Sequence, residues 1–205
     1  AMTPLLLREL AIAFSMDELP KMTMLFRRYV PMLYSIAAYF SCFIAVQADK
    51  VGYIFGGNKY AGATVAIIIM AFCPIHQTYG QMCGSVLLAS GETKLYKNIG
   101  VVFMLIGLPV TYFLLAPVGK YGLNAGASGL AIKMVLLQIV GANVQLFYCS
   151  KILNLPFWKY LRHQILSVGL LVLIAGFTTY MVDSLLYQGG GVIPSFALAG
   201  IGYSL

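Results

Sequence analysis

Between Tyr60 and Gly91 the chain runs for 32 residues without a formal charge, bounded by a Gly-rich polar turn (Gly56, Gly57, Asn58, Lys59) and by Glu92. Fully helical, that run would measure roughly 48 Å, more than the ~30 Å hydrocarbon core of a bilayer. The pattern predicts a membrane-spanning helix that tilts, bends or projects. Pro74 marks the bend, because its ring crowds the preceding turn and it has no N–H to donate. Further apolar runs predict spans at Val30 to Gln47, Asn98 to Val118, Leu123 to Ser150 and Gln164 to Val182. A sixth begins near Gly189 and stops at Leu205, after too few residues to cross. The expected fold class is all-α, a polytopic transmembrane helical bundle.

Residues 1–28 follow a different pattern, with Arg8, Glu9, Asp17, Glu18, Lys21, Arg27 and Arg28 among the apolar positions. They are too charged to cross and periodic enough to form an amphipathic helix lying on the bilayer. Thr3, Pro4, Arg8 and Glu9 interrupt the first apolar residues too early for a cleavable signal peptide, so the chain is expected to begin mid-protein.

Composition sharpens the class. The chain is 60% hydrophobic and 9% charged, with a mean hydropathy of +0.87; soluble domains carry about 25% charged residues. The net charge of +7 does not indicate a nucleic-acid partner, because the 13 cations are scattered singly between apolar runs. Cys42, Cys73, Cys83 and Cys149 all lie in apolar runs with no CxxC and no His/Cys cluster, which reads as free structural thiols rather than a disulfide framework or a metal site.

The cations nevertheless orient the chain. Arg8, Lys21, Arg27, Arg28, Lys94, Lys97, Lys151, Lys159 and Arg162 fall in alternate connections, and only Lys50, Lys59 and Lys120 fall in the others. The nine-to-three bias places the first set in the cytoplasm.

IFGGNKYAGA before the long span, LLASGETKLYKN after it, and LLAP followed by YGLNAGASGLAIK together resemble the multidrug/oligosaccharidyl-lipid/polysaccharide exporter superfamily, in particular its polysaccharide (O-antigen type) flippase group. The resemblance covers about 130 residues and rests on order and spacing. TPLLLRELAIAF near the start resembles the segment after that group's eighth span. The resemblance implies a C-terminal half: one lobe of a MATE-like two-lobe transporter plus accessory helices, the N-terminal lobe of the same protein being missing. Residues 1–28 would be the end of a preceding span and a cytoplasmic connector, 29–150 four helices of the lobe, and 151–205 a loop and two accessory helices, the last truncated. The implied location is the cytoplasmic (inner) membrane, and the implied partners are membrane lipids and a polyprenyl pyrophosphate-linked glycan, with no cofactor.

Candidate binding residues follow from polarity inside spans. Lys133 is the one formal charge within a predicted span, where an unpaired cation is expensive, and it is placed to meet a pyrophosphate; the bland alternative is a snorkelling lysine. Gln138 and Gln145, seven apart, share a face that either binds sugar hydroxyls or joins helices. Gln77, Gln81 and Ser85 recur every four residues on one face after Pro74. Gly80 and Gly84 make a small-xxx-small pair for close helix approach. His76 lies near the bilayer midplane, where it either relays protons or contacts substrate, the bland alternative being a neutral ring bonding the carbonyl that Pro74 frees, and His163 is expected at the interface.

No catalytic group is expected. The six acids, Glu9, Asp17, Glu18, Asp49, Glu92 and Asp183, all lie outside the depths of spans, and none pairs with a histidine. Three functions remain open: a flippase for lipid-linked glycans, a multidrug or cation antiporter of the same superfamily, and a non-transporting membrane scaffold for polysaccharide assembly.

Overall fold

The computed structural model describes residues 2–186 and 191–205. Its helices are α1 (Met2–Ser15), α2 (Leu19–Val46), α3 (Ala48–Gly56), α4 (Thr64–Ala71), α5 (Cys73–Ala89), α6 (Thr93–Leu115), α7 (Gly126–Ile152), α8 (Phe157–Leu186) and α9 (Val192–Ser204). Short 3₁₀ turns occupy Gly57–Ala63 and Val118–Lys120, and the described residues include no strand. Five segments are long and apolar enough to cross a membrane: α2, the stretch Ala48–Ala89, α6, α7 and α8. This is a multi-pass helical membrane protein. Gly189, where the sixth span was expected to begin, lies outside the described residues, and α9 starts at Val192.

The helices alternate in direction. Thr23 at the start of α2 donates to the Leu153 carbonyl beyond the end of α7 (3.2 Å), while Gln47 at the far end of α2 donates to Thr179 near the far end of α8 (2.8 Å). The nine cations of the first set therefore gather at one end of the bundle, and Lys50, Lys59 and Lys120 belong to the other.

Turns at the cation-rich end share one device. α1, α5 and α7 each stop at a left-handed residue, Asp17 (φ 57), Gly91 (φ 76) and Asn154 (φ 49). In each case the next N–H reaches back to a carbonyl of the last turn: Glu18 to Ala13 (2.8 Å), Glu92 to Leu87 (2.9 Å) and Leu155 to Ser150 (2.8 Å). These bonds satisfy carbonyls that a helix end leaves orphaned, and Gly and Asn are the residues that take this conformation most cheaply. At the other end the α6–α7 link folds back on α6 instead, with Leu123 donating to Phe113 and Asn124 to Ala116. A Cβ on Gly122 would overlap the Ala116 carbonyl, so only glycine allows this return.

Pro74 interrupts the long span as expected. The break falls at Phe72, between α4 and α5, where the Phe72 N–H closes a tighter turn onto the Ile69 carbonyl (3.2 Å). Pro31 and Pro109 sit inside α2 and α6 without ending them.

The leading segment corrects the sequence reading. Residues 1–28 are not one surface helix: Asp17 ends α1, and Leu19 onward already belongs to the first span. α1 packs on α5, burying Leu10 and Ala13 while Arg8 and Glu9 stay exposed. The segment between Lys50 and Lys59, expected as a polar connection, is largely the helix α3. The main core joins Leu10 and Ala13 to Met22, Phe26, Tyr79 and Leu146. It lies toward the cation-rich end.

Candidate cavity between α5, α6 and α7

α7 is the helix that builds the candidate site. Positions 138, 141 and 145 form a stripe at helical spacing, and 133, 137 and 141 form its neighbour, so one face carries Lys133, Gln138, Gly141 and Gln145. Glycines on the facing helices border this face, Gly80 and Gly107 at ordinary contact distance. A Cβ on Gly80 of α5 would stand 3.4 Å from Gln138 Nε2 and 3.8 Å from Gln145 Oε1; one on Gly107 of α6 would stand 3.6 Å from Lys133 Cε and 3.9 Å from its Nζ. Gly84 packs against Tyr96 of α6, where a Cβ would come within 2.9 Å of the ring. The small-residue pair on α5 thus meets two different helices, a division that spacing alone does not reveal.

Between these helices lies a cavity of about 260 Å³, lined by Cys73 and Gly80 of α5, Phe103 of α6, and Lys133, Gln138 and Gln145 of α7 among others. Gln145 Oε1 is buried without a hydrogen-bond partner, so an acceptor is left free there. Lys133 forms no ion pair among the described residues. It also borders a second, almost wholly apolar groove of about 400 Å³ between α6 and α7, with Pro109, Phe113, Ile132 and Leu136. The ammonium therefore stands on the seam between an amide-lined cavity and an apolar groove. Lys133 is the eighth residue of α7, about 10 Å from that helix's start.

The other sequence candidates divide. Gln77 and Gln81 are exposed on α5, beside the cavity face, whereas Ser85 is buried and donates to the Gln81 carbonyl (2.9 Å). His76 lies outside the cavity, on the side of α5 that packs against α2, with its ring 6.3 Å from that of Tyr34. Its Nδ1 is buried and unpartnered, and no hydrogen bond joins the ring to the carbonyl that Pro74 frees. Asn143 turns away from Gln138 and Gln145 and exchanges amide hydrogen bonds with Gln164 of α8 (3.1 and 3.4 Å). Missing from the sequence reading were the apolar groove beside Lys133, and Gly107, which packs against the lysine's stem; neither has a signature within its own helix.

Comparisons of the chain with protein-family models, with curated proteins and with solved structures return no match.

Proposed function

We propose that the protein is a transporter lobe that moves a lipid-linked, phosphate-bearing glycan across the cytoplasmic membrane, as a flippase does. The observation that carries this reading is the seam at Lys133. An amphipath with an anionic junction needs a cation at the boundary between a polar and an apolar surface, and Lys133 stands at such a boundary. Gln138 and Gln145 supply neutral donors and acceptors suited to hydroxyl groups, and the groove along Phe113 and Leu136 suits a polyprenyl chain. The helices belong, in this reading, to a MATE-like lobe with α8 and α9 as accessory helices, working opposite a second lobe by alternating access.

An anionic cargo fits better than a cationic drug, because the charged residue of the cavity is a lysine and the six acids lie at helix ends or in α1. Exposed Gln77 and Gln81 beside the cavity favour a wet face over lipid contact, since amides are costly in hydrocarbon, and this speaks against a purely structural scaffold.

Complementation of a flippase-null strain by a protein carrying both lobes tests the reading. Lys133→Ala is expected to cut glycan export about tenfold or more at unchanged membrane level, which is the loss of one charge-assisted contact, while Lys133→Arg keeps part of it. Parental export by both variants would overturn the proposal.

A further inference from the structure

The protein has two histidines, 87 positions apart, and the fold brings both to one tyrosine. Tyr34 of α2 is fully buried; His76 of α5 meets its ring at 6.3 Å and His163 of α8 at 5.8 Å, with Tyr79 edge-on at 4.8 Å. The junction is polar but incompletely bonded. Tyr34 Oη donates to the Gln164 carbonyl (3.4 Å) and His163 Nε2 lies 3.4 Å from Ser167 Oγ, yet His76 Nδ1, His163 Nδ1 and Tyr79 Oη are all buried without partners. Three orphaned polar atoms around one ring are costly within a bilayer and ask for a function.

We propose that His76 and His163 form a proton-binding site whose occupation separates α2 from α5 and α8. The site rests on the transport reading only for its use, as the step that couples proton uptake to alternation between states. The groups facing the rings are Tyr34 from α2, Tyr79 from α5 and Ser167 from α8, with buried Cys42 two turns along α2 from Tyr34 and buried Cys83 one turn along α5 from Tyr79. From α7, Asn143 reaches the junction through Gln164. Arg27 acts on Tyr160, one turn before His163, and exposed Arg162 adjoins His163 in sequence. Among the described residues neither imidazole forms an ion pair with a carboxylate. A proton on either ring would place an uncompensated cation among tyrosines, so the charged ring and the closed junction exclude one another. An opened junction admits water to the rings and binds the proton better. By linkage, acid shifts the population toward the open form.

Cys42 reports this opening. It is fully buried on α2, two turns beyond Tyr34, with its thiol 3.9 Å from the Val168 carbonyl of α8. The full chain in lipid nanodiscs is exposed to a membrane-permeant thiol reagent with pH-insensitive intrinsic reactivity, and modification of Cys42 is read by peptide mass spectrometry from about pH 8 to about pH 5. Labelling is expected to rise as pH falls, by at most about tenfold per pH unit for each coupled proton. His76→Gln and His163→Gln should each flatten the rise. Histidine C2-hydrogen exchange on the unsubstituted chain should show both imidazoles titrating over the same range as the labelling. Labelling of the parent chain that is independent of pH, or an unchanged rise in the double variant, overturns the proposal. None of these readouts involves glycan, so the site and the flippase reading fail separately.

Discussion

The two ends of the bundle are built differently. At the cation-rich end, α1, the start of α2, the close of α5 and the close of α7 surround Phe26, Tyr79 and Leu146. At the opposite end, α4 buries no residue and α6 exposes Leu108 and Phe113, while the outer half of α2 meets α9 through aromatic rings, Tyr39 on Tyr203 (4.5 Å) and Phe43 on Phe196 (5.3 Å), beside the polar link of Lys50 with Asp183 (2.6 Å). Protein packing joins all the helices at the first end; at the second it is concentrated between α2 and α9, and α4 and α6 leave apolar surface uncovered. The candidate cavity sits where the one regime gives way to the other. A transporter that opens on one side needs that asymmetry, because tightly packed interiors do not deform continuously.

The sharpest way to break the comparison is topological. A cysteine at Lys94, in a background lacking the four native cysteines, should be inaccessible to an impermeant reagent in intact cells, while one at Lys120 should label fully. Labelling at Lys94 would invert the assignment of the cation-rich end to the cytoplasm.

Next comes packing. Phe26 is 1% exposed and meets the Tyr160 ring at 5.6 Å, whereas Phe113 is 53% exposed. Phe26→Ala is expected to cost about 3 kcal/mol of unfolding free energy, and Phe113→Ala less than about 0.5 kcal/mol, because the second removes little protein contact. Reversible unfolding in mixed micelles measures both. Equal losses would mean that the open end is covered by protein rather than lipid.

A smaller effect tests the seam between α7 and α8. Asn143→Ala leaves the Gln164 side chain short of its partner and should cost about 1 kcal/mol, within the range for interhelical hydrogen bonds in membranes. Smallest is the open end's ion pair. Asp183 is 47% exposed and Lys50 11%, so solvent screens the attraction, and Lys50→Met should change stability by no more than about 0.5 kcal/mol. A loss above about 2 kcal/mol would show that this link, not lipid, holds the open end together.

Much of this organisation was legible in residue order. The apolar runs predicted all five long helices, because a bilayer demands an apolar stretch of about 20 residues whatever the tertiary packing. The return of charge at Glu92 ended the second span at Gly91, where the backbone does turn left-handed, whereas the turn at Asn154 was not read from the sequence. Proline was less decisive: Pro74 breaks its helix while Pro31 and Pro109 do not, since whether a freed carbonyl is satisfied depends on what neighbours it. The helix boundary at Asp17 was missed because the charged pattern continues unbroken across the turn.

Residue order thus determined how many segments are long and apolar enough to cross a membrane and the charge bias between the two ends, properties set by local polarity against a fixed slab of lipid. Only the tertiary structure decided which faces meet. It placed Lys133 between an amide-lined cavity and an apolar groove, and it sent Asn143 to α8 while Gln138, five residues away, faces α5. It also brought His76 and His163 to one tyrosine from helices far apart in the chain. The physical reason is that in lipid the hydrophobic effect does not choose helix neighbours; close packing at glycines and a few polar contacts do, and these depend on pairs of residues that no single stretch contains.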